Sequence, residues 1–146
     1  MDYRDYKLNN SIGYRLANVG RLVVNRLNKN FKDNNFPVTH EQWAIMIRLW
    51  EEDGQTQNKL AESIGKDQPS ISRLINNLEK SGLVMRTPHP VDKRTNLIFL
   101  SQKGRKLQVG LIEQAQKTAN QTAEGIPADE LEIFLRVLEK IKKNLS

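Results

Sequence analysis

The stretch "TQNKLAESIGKDQPSISRLINNLEKSGLV", residues 56–84, constrains the fold more than any other part of the chain. A short helical segment opens at Thr56, carries Leu60, Ala61 and Ile64, and closes on Gly65. Asp67 then predicts an N-cap, and Pro69 is tolerated because first-turn amides have no intrahelical acceptor. The next helix sets Ile71, Leu74, Ile75 and Leu78 at i, i+3, i+4, i+7, one narrow apolar stripe. Gly82 ends it in the left-handed conformation that favours glycine. Two helices joined by so tight a turn, with Ala61 small enough for close approach, make a helix-turn-helix.

The residues that follow turn this motif into a winged helix. "LVMRT" and "TNLIFL" read as two strands joined by "PHPVDKR". Pro88 and Pro90 lack amide donors and fix φ, so the tip is stiff. A stiff tip projects charge at little entropic cost on binding. Arg94 is expected to enter a minor groove, where narrow A·T-rich stretches concentrate negative potential. Asp92 is out of place beside phosphates, and we expect it to brace the wing through an ion pair with Arg86 or Arg94. His89 is expected to approach a phosphate from the wing tip.

The outer face of the helix after Gly65 supports contact with DNA. Opposite its apolar stripe lie Pro69, Ser72, Arg73, Asn76 and Lys80, flanked by Gln68, Ser70 and Asn77. A merely solvated face more often carries Glu/Lys pairs. Amides and guanidinium instead suit base edges, Arg pairing with guanine and Asn or Gln with adenine. The net charge is +6, and it is local: residues 85–106 hold six bases and one acid.

The remaining chain is read as helix. Leu8, Ile12, Leu16, Val19, Val23 and Leu27 predict a long amphipathic helix over 7–32, broken near "KDNNFP". Thr39 and Gln42 predict a capping box for a helix with Trp43, Met46, Ile47 and Trp50 on its apolar side. Ser101 is expected to cap one long helix to about Thr122, before "GIP". A last helix over 128–145 carries Leu131, Phe134, Leu135, Leu138 and Ile141.

The expected fold is mainly α with a small β-hairpin wing, one domain over 1–146. Residues 37–100 form a winged helix-turn-helix DNA-binding lobe, and residues 1–36 and 101–146 form dimerisation helices. A lobe of about 65 residues cannot cover the stripes of the terminal helices. A second copy of the chain is expected to do so, the alternative being a bundle within one chain.

At this point the chain resembles the MarR family (multiple-antibiotic-resistance-type regulators) over nearly its whole length. "GLVMRTPHPVDKRTNLIFLSQKG" fits the family's G-L-V-x-R, D-x-R and L-[ST]-x-x-G pattern, with Ser101 where the family often has Thr. "KLAESIGKDQPSISRLINNLEKSGLV" fits the helix-turn-helix segment before it. The resemblance implies a homodimer on a pseudo-palindromic operator in double-stranded DNA, most often a transcriptional repressor released by a small molecule. Carried onto this chain, it makes Gln68, Ser70, Ser72, Arg73 and Asn76 the recognition-helix contacts. Asp92, Lys93 and Arg94 become those of the wing. Family effectors bind between the DNA-binding lobe and the dimerisation helices. Here Tyr14, Trp43, Met46, Ile47 and Trp50 could line such a cleft for a small aromatic or amphipathic effector, or serve as plain core.

Other classes find less support. The absence of cysteine removes thiol switches and Cys-based zinc sites, and suits a cytoplasmic protein. The two histidines, His40 and His89, lie on separate elements, so no metal site or cofactor is expected. The polar N-terminus is not read as a secretory signal, and no apolar run suggests a membrane partner. No phosphate loop, nucleophile elbow or H-E-x-x-H pair points to an enzyme. A winged helix used only for protein interaction remains the alternative, and it would favour an apolar or acidic face on the second helix.

Overall fold

A computed structural model of the chain describes residues 2–146. Among these residues, seven α-helices and three short strands follow one another as α1 (Ile12–Asp33), α2 (His40–Glu51), β1 (Gln55–Thr56), α3 (Gln57–Ile64), α4 (Gln68–Lys80), β2 (Val84–Pro88), β3 (Asn96–Leu100), α5 (Gln102–Lys106), α6 (Gln108–Ala123) and α7 (Ala128–Leu145), after two 3-10 turns at Tyr3–Asp5 and Leu8–Asn10. The protein is mostly helical with a small antiparallel sheet, the winged-helix arrangement expected.

Local chemistry sets most boundaries. Thr39 and Gln42 form the reciprocal capping box at the start of α2. Thr56, Asp67 and Ser101 cap α3, α4 and α5 by accepting the amides of Lys59, Ser70 and Gly104. Gly65 and Gly82 take φ of 76° and 72°, closing α3 and following α4.

Three details depart from the sequence reading. The first helix starts at Ile12, capped by Ser11, with Leu8–Asn10 in a separate 3-10 turn. Asn9 and Asn10 favour turns because their side chains compete for backbone partners. The helix expected after Ser101 is interrupted at Leu107, whose amide turns to the Gly104 carbonyl in the tighter i→i+3 pattern. Gly104 itself packs on the Leu83 carbonyl, where a Cβ would clash.

The third departure is β1. It pairs with β3 (Gln55 opposite Ile98), so the sheet has three strands in the order β1-β3-β2. The buried Gln55 side chain donates to the carbonyls of Arg48 at 2.7 Å and Glu52 at 2.6 Å, satisfying the end of α2. Gly54 precedes it with φ of 70°, and any Cβ there would lie 2.7 Å from the Phe99 ring. Asp53 ties the same corner together: it accepts the Leu100 amide at 2.9 Å and pairs with Arg105 at 2.6 Å.

The core lies between Val38 and Leu100. Ile45, Met46 and Leu49 of α2, Leu60 and Ala61 of α3, and Ile71, Leu74, Ile75 and Leu78 of α4 meet Leu83, Val84, Ile98 and Leu100. The terminal helices add Phe31 and Leu111. A buried polar contact joins α1 to α6, Asn30 donating to Thr118 at 2.9 Å.

Candidate nucleic-acid interface

The apolar stripe of α4 is fully or nearly fully buried, which turns the opposite side to solvent. Gln68, Arg73 and Asn76 are exposed, and Ser70 and Ser72 are partly so. The five expected recognition-helix residues therefore share one helix and keep polar atoms available. Arg73 forms no ion pair among the described residues, in contrast to Lys59, Lys66, Arg86 and Arg105. Gln68 accepts a bond at 3.3 Å from Gln57, the first residue of α3.

Capping and charge hold the start of α4. Asp67 accepts the Ser70 amide at 2.8 Å, and that bond, with help from the Ser70 hydroxyl, keeps its carboxyl below the usual value. Lys66, in the turn just before, pairs with Glu41 of α2 at 2.6 Å and draws the Glu41 pKa down. The turn is thereby pinned to α2 from one side and to α4 from the other.

The wing is a two-stranded hairpin with register Val84↔Leu100 to Pro88↔Asn96. Asp92, Lys93 and Arg94 are exposed at its tip. The ion pair expected for Asp92 does not form. Arg86 points instead to Glu79 of α4, 3.9 Å away, linking the wing base to the recognition helix. Asp92 braces the tip by another route: its carboxylate accepts the Arg94 amide at 3.1 Å and its carbonyl accepts the Thr95 hydroxyl at 2.9 Å. An aspartate two residues before an amide makes this local bond without a charged partner, so Arg94 keeps its charge free.

The suggested effector cleft is not assembled within one chain. Met46 is fully buried in the core, and Trp43 packs on Phe31 with ring centroids 6.0 Å apart. Tyr14 lies on α1 about 25 Å of helix rise from Phe31. Ile47 is half-buried on α2. Trp50 lines a separate cleft of about 240 Å³ with Leu49, Asp53, Leu100, Arg105 and Gln108. The indole nitrogens of Trp43 and Trp50 are buried without a hydrogen-bond partner.

Another region is open. Val19, Leu22, Ile133, Phe134, Leu135 and Val137 are all close to or above half exposed. An apolar groove of about 580 Å³ runs between α1 and α7, lined by Leu16, Val19, Val23, Val24, Phe134 and Leu138. No residue of α7 is buried. Among the described residues no helix is long and apolar enough to cross a membrane, and no cluster of His, Asp and Glu is placed to hold a metal.

Comparison with known proteins agrees with this geometry. The sequence model of the MarR family matches residues 38–95. The chain is 27% identical over 136 residues to the uncharacterised HTH-type transcriptional regulator YybA of Bacillus subtilis, covering 93% of this chain and 89% of YybA. It is similar to the structure of CouR from Rhodococcus jostii RHA1 bound to p-coumaroyl-CoA, at a TM-score of 0.77 and 26% identity, over 94% and 95% of the two chains. It is also similar to reduced AbfR bound to DNA, at a TM-score of 0.74 and 28% identity, over 95% and 94% of the chains.

Proposed function

From a chain that carries the domain of the MarR family, we propose a homodimeric transcriptional regulator that binds a pseudo-palindromic operator in double-stranded DNA. The observation that carries the reading is the exposed face of α4, where hydroxyls, amides and an unpaired guanidinium stand opposite a sealed apolar stripe. Gln68, Ser70, Ser72, Arg73 and Asn76 approach the major groove, and Lys93 and Arg94 follow the backbone into the adjacent minor groove. Asp92 shapes the tip rather than touching DNA. Residues 37–100 act as the DNA-binding lobe and the terminal helices as the dimerisation lobe.

A second copy covers the open apolar face of α1 and α7. Two-fold symmetry then sets two α4 helices about 34 Å apart, on successive turns of one side of the duplex. Repression relieved by a small molecule is the mode we favour, since CouR, of the same fold, is known with p-coumaroyl-CoA bound. Any effector cleft here is completed by the partner, because one chain does not assemble it. The regulator acts in the cytoplasm, where its DNA lies.

The test is retention of a pool of random duplexes over a range of salt. Neutralising several phosphates makes affinity fall steeply as salt rises. A flat salt response, or retention with no sequence preference at any salt, contradicts the proposal.

A further inference from the structure

His89 is held in a way that a surface histidine is not. Pro88, Pro90, Val91, Asp92, Lys93 and Arg94 around it are exposed, whereas His89 is half-buried. Its amide donates to the Thr95 carbonyl at 3.0 Å, adding a bond beyond the last strand pair. A residue that precedes proline is kept out of the helical region, so Pro90 holds this backbone extended. The imidazole then folds over the turn. Its Nδ1 lies 3.1 Å from the amide nitrogens of both Val91 and Asp92.

Backbone amides only donate, so Nδ1 must be the acceptor of both. That requires a neutral ring with its hydrogen on Nε2. Around it Asp92 takes the Arg94 amide with its carboxylate and the Thr95 amide with its carbonyl. The amides of Val91, Asp92, Arg94 and Thr95 thus all find acceptors inside the tip. The ionisable side chains on the same loop are Asp92, Lys93 and Arg94. Behind it Arg86 of β2 faces Glu79 of α4.

We propose that His89 is a positioning residue of the wing, its Nδ1 fixing the tip in the shape that presents Lys93 and Arg94 to DNA. The presentation to DNA rests on the function proposed above; the role of the ring in the tip does not. A proton on Nδ1 removes the acceptor and sets a hydrogen against two N–H groups.

Two measurements on the full-length protein test this. The first is ¹⁵N NMR of the histidine rings, with His89→Ala to assign them. The ring of His89 should carry its hydrogen on Nε2, and the Val91 and Asp92 amides should move in His89→Ala. A ring protonated on Nδ1 at neutral pH overturns the proposal. The second uses a duplex selected from the random pool. The Oδ1 of asparagine reaches about the place of Nδ1, and the glutamine oxygen falls nearer Nε2. His89→Asn should bind within about twofold of wild type, and His89→Gln and His89→Ala roughly three- to tenfold more weakly. Equal behaviour of the Asn and Gln variants overturns the proposal. Should no duplex be retained while Nδ1 is bare, the reading as a DNA regulator fails and the role of the ring in the tip stands.

Discussion

Ile75 of α4 and Phe134 of α7 each sit on the apolar stripe of an amphipathic helix, yet Ile75 is 0% exposed and Phe134 is 50% exposed. The contrast extends to the regions they belong to. Between Val38 and Leu100 the stripes of α2, α3 and α4 close on one another and on the sheet, leaving Met85 and Val91 as the large apolar side chains that remain exposed. In α1 before Phe31, and in α7, apolar residues such as Leu16, Val19, Phe134 and Leu135 stay open. The first region is self-sufficient and turns a polar surface outward. The second leaves apolar surface uncovered within one chain, and we propose that a second copy covers it.

The sharpest way to probe the closed region is Leu78→Ala. Leu78 is fully buried, so its loss should cost about 2–5 kcal/mol, read as a lowered urea midpoint. For the open region the decisive change is Phe134→Asp. If Phe134 stayed in solvent the effect would be within about 0.5 kcal/mol. In a dimer it buries a charge, and we expect a shift from dimer to monomer in sedimentation with a loss of about 2–4 kcal/mol. A neutral result would make the two regions alike after all.

Smaller effects separate the polar surface from the core beneath it. Asp67→Ala removes the cap of α4 and should lower the melting temperature, measured by thermal melting. The pH dependence has a definite sign. Asp67 and Glu41 have folded-state pKa values below their usual 3.8 and 4.5. Their contribution is present above those values and fades as pH falls through the lowered ones. Thermal melts of wild type should therefore lose stability in acid, and those of Asp67→Ala should lose less. Arg73→Ala should leave stability within about 0.5 kcal/mol while weakening duplex binding by roughly 1–3 kcal/mol. Equal losses in stability and binding would mean that Arg73 is structural.

How much of this was legible in the sequence follows the range of the forces involved. Local devices were readable: the Thr39–Gln42 box, the caps at Thr56, Asp67 and Ser101, and the glycine turns each depend on a few neighbouring residues. The α4 stripe was readable because its period is internal to the helix. Contacts between distant residues were not. Gln55 and Asp53 look like loop residues, and only the tertiary fold brings them to the end of α2 and to β3. The ion pair expected of Asp92 with Arg86 or Arg94 was missed for the same reason, since Arg86 turns to Glu79 of the preceding helix. The break at Leu107 and the close approach of Gly104 to Leu83 are likewise announced by no local pattern. The five suggested cleft residues are not gathered within one chain, because helical spacing places side chains on a face but does not say what that face meets.

The most direct test joins the two regions in one experiment: selection of bound duplexes from a random pool by the full-length protein, followed by sequencing. The account predicts an inverted repeat with half-site centres about one helical turn apart. A single unrepeated motif, or two copies in the same orientation, would contradict it.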